Sequence, residues 1–324
     1  MTSILIVLPY FGRFPNYFNL FLKSCAVNST INWLLVTDQK LDNINIPDNF
    51  LVKQMEFSDI QKQAELMYGK APATPYSLCK YRVVYHELFG DNVKDFDFWG
   101  FCDCDLIFGN LREFITENIL LSYDKISWRG HLTLFKNNYK VNNAYKKEFP
   151  GFKTFQGCIN DSDGINLFDE VGINKIFNRL GLKIYEDLLF ADLLIRSNNF
   201  VCQHNIFDPK TNVNQLFRWT EKRLYRIYAF DKNIVTQPIA YVHFLKRPME
   251  WGDCSIEKDH AFLIVPNKFV KDEKLTIEKL LQYSRKAIYW NYIFPRLKPK
   301  FIYHKILEKF RSKNIEPDVY ERNK

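Results

Sequence analysis

The feature that most constrains this fold is an apolar stretch interrupted by two closely spaced aspartates. Residues 98–108 place large apolar side chains on both sides of Asp103 and Asp105. Such a run predicts a buried strand, and the alternation of a strand predicts both carboxylates on one face and Cys104 on the other. Two like charges buried so close together are costly unless a cation lies between them. Mn²⁺ or Mg²⁺ meets that demand and commonly binds together with a phosphate. The alternative is a strand that runs into an acidic turn, with both carboxylates solvated.

Composition predicts a folded α/β protein in a reducing compartment. The chain has 324 residues, of which 47% are hydrophobic and 25% charged, enough for one large domain or a domain with an appendage. The 7 cysteines form no Cys-x-x-Cys pair, and an odd number cannot all be paired in disulfides. A zinc site at Cys102 and Cys104 is not expected, because the sequence has no second cysteine pair to complete it. Without a basic leader or an apolar run of membrane-spanning length, the sequence predicts a cytoplasmic protein.

The positive charge is concentrated near the end of the chain. The net charge is +8, and residues 268–313 alone hold 13 Lys and Arg against 4 Asp and Glu. Basic residues alternate there with large apolar ones, and Pro295 and Pro299 divide the segment into two predicted amphipathic helices. This composition suits an anionic membrane surface. Nucleic acid is the competing partner, but no recognised nucleic-acid-binding motif accompanies the charge, so none is expected. The other alternative is a helical pair that packs on the body with its charges solvated.

Alternating apolar runs and helical spacing predict the remaining elements. Strands are predicted at 4–8, 33–36, 51–57, 126–128, 132–135 and 239–244. Helices are predicted at 16–26, 76–88, 111–120 and 171–180. The segment 139–163 has weak periodicity and is predicted to be a loop region on the acceptor side of a binding site.

Residues after the first two strands are candidates for ligand contact. In α/β sheets, ligands bind outside the carboxyl ends of the strands. Pro9, Tyr10 and Phe11 follow the first strand, and Asp38 follows the second. They are therefore predicted to meet a nucleotide base and ribose, the alternative being ordinary loop residues. Within the predicted helix 76–88, Arg82 is the candidate for a basic contact.

Two further segments carry candidate site residues. Gly130 precedes His131, and a glycine there suggests close approach of the backbone to a ligand, although a lone histidine is often structural. His243 lies in a predicted strand shortly before Lys246 and Arg247. The imidazole could complete the coordination of a cation while the two basic residues neutralise a diphosphate. The alternative is a basic surface turn.

Two acidic pairs are candidates for work on an acceptor. Asp169 and Glu170 open the predicted helix 171–180, where capping is the alternative because the helix dipole favours acids at that end. Glu186 and Asp187 begin another apolar stretch and form the second-choice pair.

Taken in order, these blocks resemble a known group of enzymes. The Asp-x-Asp strand, Gly130-His131-Leu132-Thr133-Leu134, Phe168-Asp169-Glu170 and the block from His243 to Pro248 are similar to GT-A-fold, nucleotide-sugar-dependent glycosyltransferases. Together they resemble a little-characterised bacterial group of such enzymes linked to surface-polysaccharide (O-antigen or capsule) synthesis, and the blocks span residues 4–248. The resemblance implies one GT-A-like (Rossmann-like) α/β domain with a mixed central sheet over residues 1–265, followed by a basic helical appendage over 266–324.

The resemblance also implies roles. The expected reaction is hexosyl transfer from a UDP-linked sugar to a lipid-linked glycan or oligosaccharide acceptor, on the inner face of the plasma membrane. Asp105 and His243 would bind Mn²⁺ or Mg²⁺, and Asp103 the metal or the ribose. Asp169 or Glu170 would accept the acceptor proton or stabilise an oxocarbenium-like centre. The residues implied to contact the donor are Pro9, Tyr10, Phe11, Asp38, Arg82, Lys246 and Arg247. Those implied to contact the acceptor or sugar are His131, Glu186 and Asp187.

The sequence departs from the family pattern at Ser77 and Lys80, which leaves Arg82 as the basic residue of that helix to contact the donor. Two rival functions remain open. A sugar nucleotidyltransferase would share fold type and metal, but Pro9-Tyr10-Phe11-Gly12-Arg13 is a poor triphosphate loop. A non-catalytic membrane-surface protein of polysaccharide assembly would keep the fold without binding nucleotide.

Overall fold

A computed structural model describes residues 1–161, 168–194, 197, 199–203, 206–212 and 214–285. The predicted tail helices beyond residue 285, with Pro295 and Pro299, lie outside the described residues. So do the last two residues of the predicted loop 139–163. Among the described residues, no helix is long and apolar enough to cross a membrane.

The chain alternates strands and helices in its first half and is mainly β-structure in its second. The strands are β1 (Ile4–Pro9), β2 (Asn32–Thr37), β3 (Phe50–Gln54), β4 (Phe98–Cys102), β5 (Leu106–Phe108), β6 (Lys125–Ile126), β7 (Leu132–Lys136), β8 (Ile184–Tyr185), β9 (Ala191–Asp192), β10 (Gln215–Thr220), β11 (Leu224–Phe230), β12 (Asn233–Ile239), β13 (Tyr241–His243), β14 (Glu250–Trp251), β15 (Ala261–Val265) and β16 (Lys268–Lys271).

The α-helices are short. They are α1 (Phe18–Ala26), α2 (Phe57–Tyr68), α3 (Tyr85–Leu88), α4 (Gly90–Val93), α5 (Glu117–Ser122), α6 (Tyr139–Asn142), α7 (Phe155–Asn160), α8 (Ile173–Arg179) and α9 (Ile277–Arg285). The tighter 3₁₀ geometry occupies Pro75–Val84, Leu111–Glu113 and Ala144–Lys146, and a π-helical turn occupies Phe168–Gly172.

The first sheet has the order β3-β2-β1-β4-β7-β6-β8. Strands β3, β2, β1 and β4 are parallel, and β7 runs antiparallel to β4, so the sheet is mixed. β1 is apolar on both faces because both faces are covered, which is typical of parallel strands. Ile4 and Ile6 pack with Phe21 of α1 on one face, whereas Leu5 and Val7 pack on the other face with the segment that contains α3. The predicted α/β class is confirmed.

Two further sheets complete the body. Six strands form the order β12-β11-β10-β15-β16-β14, and three form β5-β13-β9. Trp219 and Phe262 of the six-stranded sheet join the same core cluster as Ile4, so the sheets share a core. The opposite face of that sheet is covered by α9, where Leu280 packs on Leu216. The folded body therefore extends past residue 265 to the end of α9.

Several predicted elements differ from the structure. Residues 76–88 were predicted as one helix but form a 3₁₀ helix followed by α3, since Pro75 starts the segment and Thr74 caps it through Ser77. The predicted helix 111–120 is a short 3₁₀ turn and α5. The predicted strand 239–244 is divided between β12 and β13, which belong to different sheets. The predicted loop 139–163 contains α6, a 3₁₀ turn and α7.

The most consequential difference concerns the two aspartates. β4 ends at Cys102, and the chain leaves the first sheet before β5 enters the three-stranded sheet. Asp103 and Asp105 therefore lie in a turn between two sheets, so their predicted placement on one face of a strand is wrong. β5 pairs antiparallel with β13, with Leu106 opposite His243 in register. That pairing brings a residue from late in the chain to the aspartate turn.

Candidate metal and nucleotide site

The carboxyl ends of β1, β2 and β4 lie at one edge of the first sheet because the three strands are parallel. Tyr10, Asp38 and Asp103 follow those ends directly. The backbone N–H of Tyr10 donates to the carbonyl of Val36 at 2.8 Å, and that of Gly12 donates to Oδ1 of Asp38 at 3.3 Å. The loops after the first two strands are thus joined beside the aspartate turn.

Asp103, Asp105 and His243 converge at this edge. Nε2 of His243 lies 3.4 Å from Oδ1 of Asp105 and 3.8 Å from Oδ2 of Asp103. One potential ligand atom from each residue falls within a group whose members all lie within 4.8 Å of one another. Asp105 and His243 are buried, whereas Asp103 is partly exposed. Two carboxylates and one imidazole form a donor set that suits a divalent cation, with an opening on the Asp103 side.

The turn after β13 stabilises the ionised form of Asp105. Leu245 and Lys246 adopt positive φ angles of 52° and 59°, and this turn aims the N–H of Lys246 at Oδ2 of Asp105, 2.6 Å away. Burial opposes ionisation, but His243 and this N–H lower the pKa of Asp105 to about 2. Burial likewise opposes the charge of His243, yet Asp105 and Asp192 raise its pKa well above the ordinary value. The aspartate is therefore anionic at any physiological pH.

A buried polar layer lies behind His243. Nδ1 of His243 lies 2.7 Å from Oδ1 of Asp192, and the imidazole ring of His131 lies 4.5 Å from that of His243. Nδ1 of His131 lies 3.2 Å from the hydroxyl of Tyr241. Burial, followed by the charge of His243, lowers the pKa of His131 well below its ordinary value. His131 was predicted to contact an acceptor or sugar, but the structure places this neutral, buried ring behind the candidate metal ligand.

Arg82 connects the aspartate turn to the acidic pair. Its Nη1 donates to Oδ2 of Asp169 at 3.0 Å and to the carbonyl of Gly130 at 2.8 Å, while Nη2 is paired with Oδ1 of Asp103. Burial raises the pKa of Asp169 to about 6 despite the opposing charge of Arg82. Arg82 thus lies at the site, at the position predicted for it. The side chain of Lys80 instead donates to the carbonyl of Asp161.

Glu170 is held on the other side of the same loop. It accepts the backbone N–H of Gly130 at 2.8 Å and lies 3.3 Å from Nη1 of Arg129. The acidic pair lies in the first turn of the π-helical segment, as the helix-dipole alternative requires, but the N-cap residue of α8 is Gly172, so neither carboxylate caps α8 itself. A Cβ on Gly130 would lie 2.6 Å from Oδ2 of Asp169. The close approach at Gly130 is made to the acidic pair, and the predicted approach to a ligand stays a prediction.

Some predicted residues do not join the cluster. Arg247 is 1% exposed, and its guanidinium donates to the carbonyls of Leu194 and Ser197 at 2.8 and 2.7 Å. It therefore stabilises the fold and is not placed to bind a diphosphate. Phe11 is buried and packs on Phe57, so its predicted contact with a base is replaced by a core contact.

The remaining donor and acceptor candidates divide in the same way. Glu186 and Asp187 are exposed after β8, and among the described residues neither makes a hydrogen bond to the cluster. Lys246 remains at the site, with its ammonium 3.9 Å from the ring centroid of the exposed Tyr76. Pro9 ends β1 at the sheet edge.

Sequence reasoning missed Asp192 and Arg129. Asp192 is the single charged residue of the apolar run 188–194, a signal of the same kind as the two aspartates in their strand. It was overlooked because β9 is only two residues long. Arg129 stacks on Trp128, with its guanidinium carbon 3.5 Å from the ring centroid. No local sequence pattern indicates that Arg129 pairs with Glu170.

Comparison with known proteins gives one family. No curated protein matches the chain. A family model described as "Family of unknown function (DUF6625)" matches residues 6–273, which include every residue of the cluster described above. The match covers well over half of the chain, and the chain therefore belongs to this family.

Proposed function

We propose that this chain is a metal-dependent glycosyltransferase of GT-A-like (Rossmann-like) fold. It would transfer a hexose from a UDP-linked donor to a lipid-linked glycan or oligosaccharide in bacterial surface-polysaccharide synthesis. The observation that carries the proposal is the convergence of Asp103, Asp105 and His243 at the carboxyl edge of the parallel strands. A cation site at that edge is where a nucleotide diphosphate would be held.

The residues present fit a divalent cation. Asp105 is anionic, and Asp103 directs Oδ2 toward His243 while Arg82 engages its other oxygen. Asp103, Asp105 and His243 would hold Mn²⁺ or Mg²⁺ and leave coordination positions toward the exposed side of Asp103. A cation bound there would supply Lewis-acid stabilisation of the charge that develops on the leaving diphosphate.

The protein groups around the cluster suit donor binding. Tyr10 and Asp38 lie where a base and ribose would reach the sheet edge. The backbone N–H of Lys246 is anchored on Asp105, and its ammonium contacts the exposed ring of Tyr76, from which it can turn toward a diphosphate. A charge-assisted hydrogen bond to phosphate is stronger than the contact with the ring.

The acidic pair suits the acceptor. Asp169 has a pKa of about 6, so it is largely ionised at neutral pH and can accept a proton from an acceptor hydroxyl. Arg82 fixes its carboxylate beside Asp103, so acceptor and donor would meet between the two groups. Glu170 is occupied by Gly130 and Arg129, and its role is to orient this loop.

The proposal is tested by thermal shift with a panel of nucleotides and nucleotide-sugars, with and without Mn²⁺. UDP and one or more UDP-sugars should raise Tm only when Mn²⁺ is present, because binding to the folded state stabilises it. Asp105→Asn should abolish this effect, whereas Asp91→Asn, at a fully exposed aspartate (100%), should not.

The rival functions give other outcomes. Stabilisation by UTP together with a sugar 1-phosphate, but not by UDP-sugars, would indicate a nucleotidyltransferase. No response to any nucleotide would indicate a non-catalytic assembly protein. Attachment to the cytoplasmic face of the membrane through the basic residues beyond 285 is part of the proposal, and vesicle binding tests it separately.

A further inference from the structure

The register of two strands places a carboxylate directly behind His243. β9 and β13 pair in parallel, with Asp192 opposite His243, and the N–H of Leu193 donates to the carbonyl of His243 at 3.0 Å. Side chains paired in register lie on the same face of a sheet. Oδ1 of Asp192 therefore meets Nδ1 of His243 at 2.7 Å, and Asp192 itself is only 2% exposed.

This contact determines which nitrogen of His243 can bind a cation. A carboxylate oxygen only accepts, so Nδ1 of His243 must carry a proton to make the hydrogen bond. Nε2, which faces Asp105 at 3.4 Å and Asp103 at 3.8 Å, is then the nitrogen that would release its proton and offer a lone pair when a metal binds. Without a partner at Nδ1, the ring could rotate or carry its proton on Nε2, and it could then no longer bind a metal there.

Asp192 is fixed in turn by a neighbouring segment. Nε2 of Gln203 donates to Oδ2 of Asp192 at 3.0 Å, and the backbone N–H of Gln203 donates to the carbonyl of Asp192 at 2.8 Å. Both oxygens of the carboxylate thus have a donor. A buried carboxylate is a costly way to fill a position in an apolar run, since an apolar side chain would pack there without loss of hydration. The residue is therefore better explained by what it does to His243 than by packing.

We infer that Asp192 is a positioning residue that holds His243 in its metal-binding tautomer and orientation. The inference rests on the proposed function, because it assigns Asp192 to the cation site of that function. Asp192 acts through His243 and does not itself touch the cation. Partners of this kind typically change metal affinity by 10–100-fold when they are removed.

The test measures Mn²⁺ binding directly, by the electron paramagnetic resonance signal of free Mn²⁺, on full-length protein. Asp192→Ala should weaken binding by roughly 10–100-fold, and Asp192→Asn by less, because the amide oxygen still accepts from Nδ1. Gln203→Leu should weaken binding in the same direction. The matched control is Glu221→Gln, since Glu221 pairs with Nδ1 of the exposed His260 at 2.8 Å outside the site and should leave Mn²⁺ affinity unchanged.

A double-mutant cycle separates positioning from a general structural role. In a His243→Ala background, Asp192→Asn should cause no further loss of Mn²⁺ affinity, because the group through which it acts is gone. A loss of the same size in both backgrounds would overturn the inference. Two equivalents of Mn²⁺ per chain would also overturn it, because Asp192 would then be a ligand of a second ion with His131.

The outcomes distinguish this inference from the proposed function. If the wild type binds Mn²⁺ and the Asp192 variants bind it equally well, only the inference fails. If the wild type binds no Mn²⁺, both fail. If Asp192→Ala does not fold, Asp192→Asn and Gln203→Leu decide the question, and unchanged affinity in both would refute it.

Discussion

Gly130→Ala should disable the acidic pair while it leaves the sheets intact. A Cβ at this position would lie 2.6 Å from Oδ2 of Asp169, 3.0 Å from Oε1 of Glu170 and 3.2 Å from Nη1 of Arg82. None of these atoms is free to move aside cheaply, because Arg82 holds Asp169 and the N–H of Gly130 itself holds Glu170. The methyl group must therefore displace the groups that the proposed mechanism uses.

The size of the effect follows from the distances. Ordinary van der Waals contact begins at 3.4 Å, so the Asp169 carboxylate must retreat by about 0.8 Å from the 2.6 Å position. A misplacement of about 1 Å at a reacting centre can lower a rate by about 10²-fold, and overpacking costs about 1–3 kcal/mol of stability. We therefore expect a fall in kcat of about two orders of magnitude with a folded protein.

The assay is Mn²⁺-dependent release of UDP from the UDP-sugar that gives the largest thermal shift, followed by Mn²⁺ binding on the same samples. Gly90→Ala is the matched control, since a Cβ on Gly90 meets no atom within 4 Å. Mn²⁺ affinity should stay close to that of the wild type in both variants. A Gly130→Ala enzyme with an unchanged rate would refute the assignment of Asp169, and so would a variant whose rate falls only in proportion to its loss of bound Mn²⁺.

Four further perturbations test separate parts of the structure. Lys246→Ala should lower kcat by about 10²–10³-fold, because the ammonium would no longer stabilise the leaving diphosphate. Mn²⁺ affinity should change little, since the backbone N–H that supports Asp105 is retained. A normal kcat would show that the lysine does not stabilise the leaving group. At saturating Mn²⁺, which keeps Nε2 of His243 deprotonated, the rate should decline as pH falls below about 6, where Asp169 becomes protonated, and Asp169→Asn should remove that limb of the pH profile together with most of the activity. Lys125→Met should stabilise the fold at pH 7, because burial lowers the pKa of Lys125 to about 7. Between pH 7 and the ordinary lysine range the unfolded chain therefore binds more protons than the folded one, and the wild-type free energy of unfolding should rise by about 1.4 kcal/mol per pH unit. Urea unfolding measures this, and equal pH slopes for variant and wild type would contradict it. A chain ended after residue 285 should lose binding to anionic vesicles yet keep the Mn²⁺-dependent thermal shift with UDP, and undiminished vesicle binding would exclude the tail as the membrane contact.

Local patterns predicted the first strand and the first helix well. The apolar run at β1 and the helical spacing of α1 depend on contacts near in sequence, so their bounds agree with the structure to within two residues. The second half was largely missed. The strands β10, β11 and β15 form a mainly antiparallel sheet that packs on the core on one side and under α9 on the other. Their partners are set by tertiary pairing, which a single sequence does not indicate.

The candidate site shows the same division. Asp103, Asp105 and His243 could be predicted because carboxylates and a histidine interrupt apolar runs, and the structure brings all three together. Arg247 has the same kind of sequence signal, yet its guanidinium is directed into the core by carbonyls from a distant loop. Residue type and spacing identify which side chains can do chemistry. Which of them turn toward one another depends on strand register, as the pairing of Asp192 with His243 illustrates.

The position of the aspartate turn between two sheets has a consequence for how the protein is made. Asp103 and Asp105 emerge from the ribosome long before His243, which reaches them only when β13 pairs with β5. Domains fold largely in the order of synthesis, and contacts distant in sequence form late. On the proposed function, a nascent chain that ends before β13 lacks the imidazole that would complete the ligand set, so it would not bind a cation at full affinity during early synthesis. Cation binding would then follow only after nearly the whole body has folded, and a chain released too early would be left without a complete site.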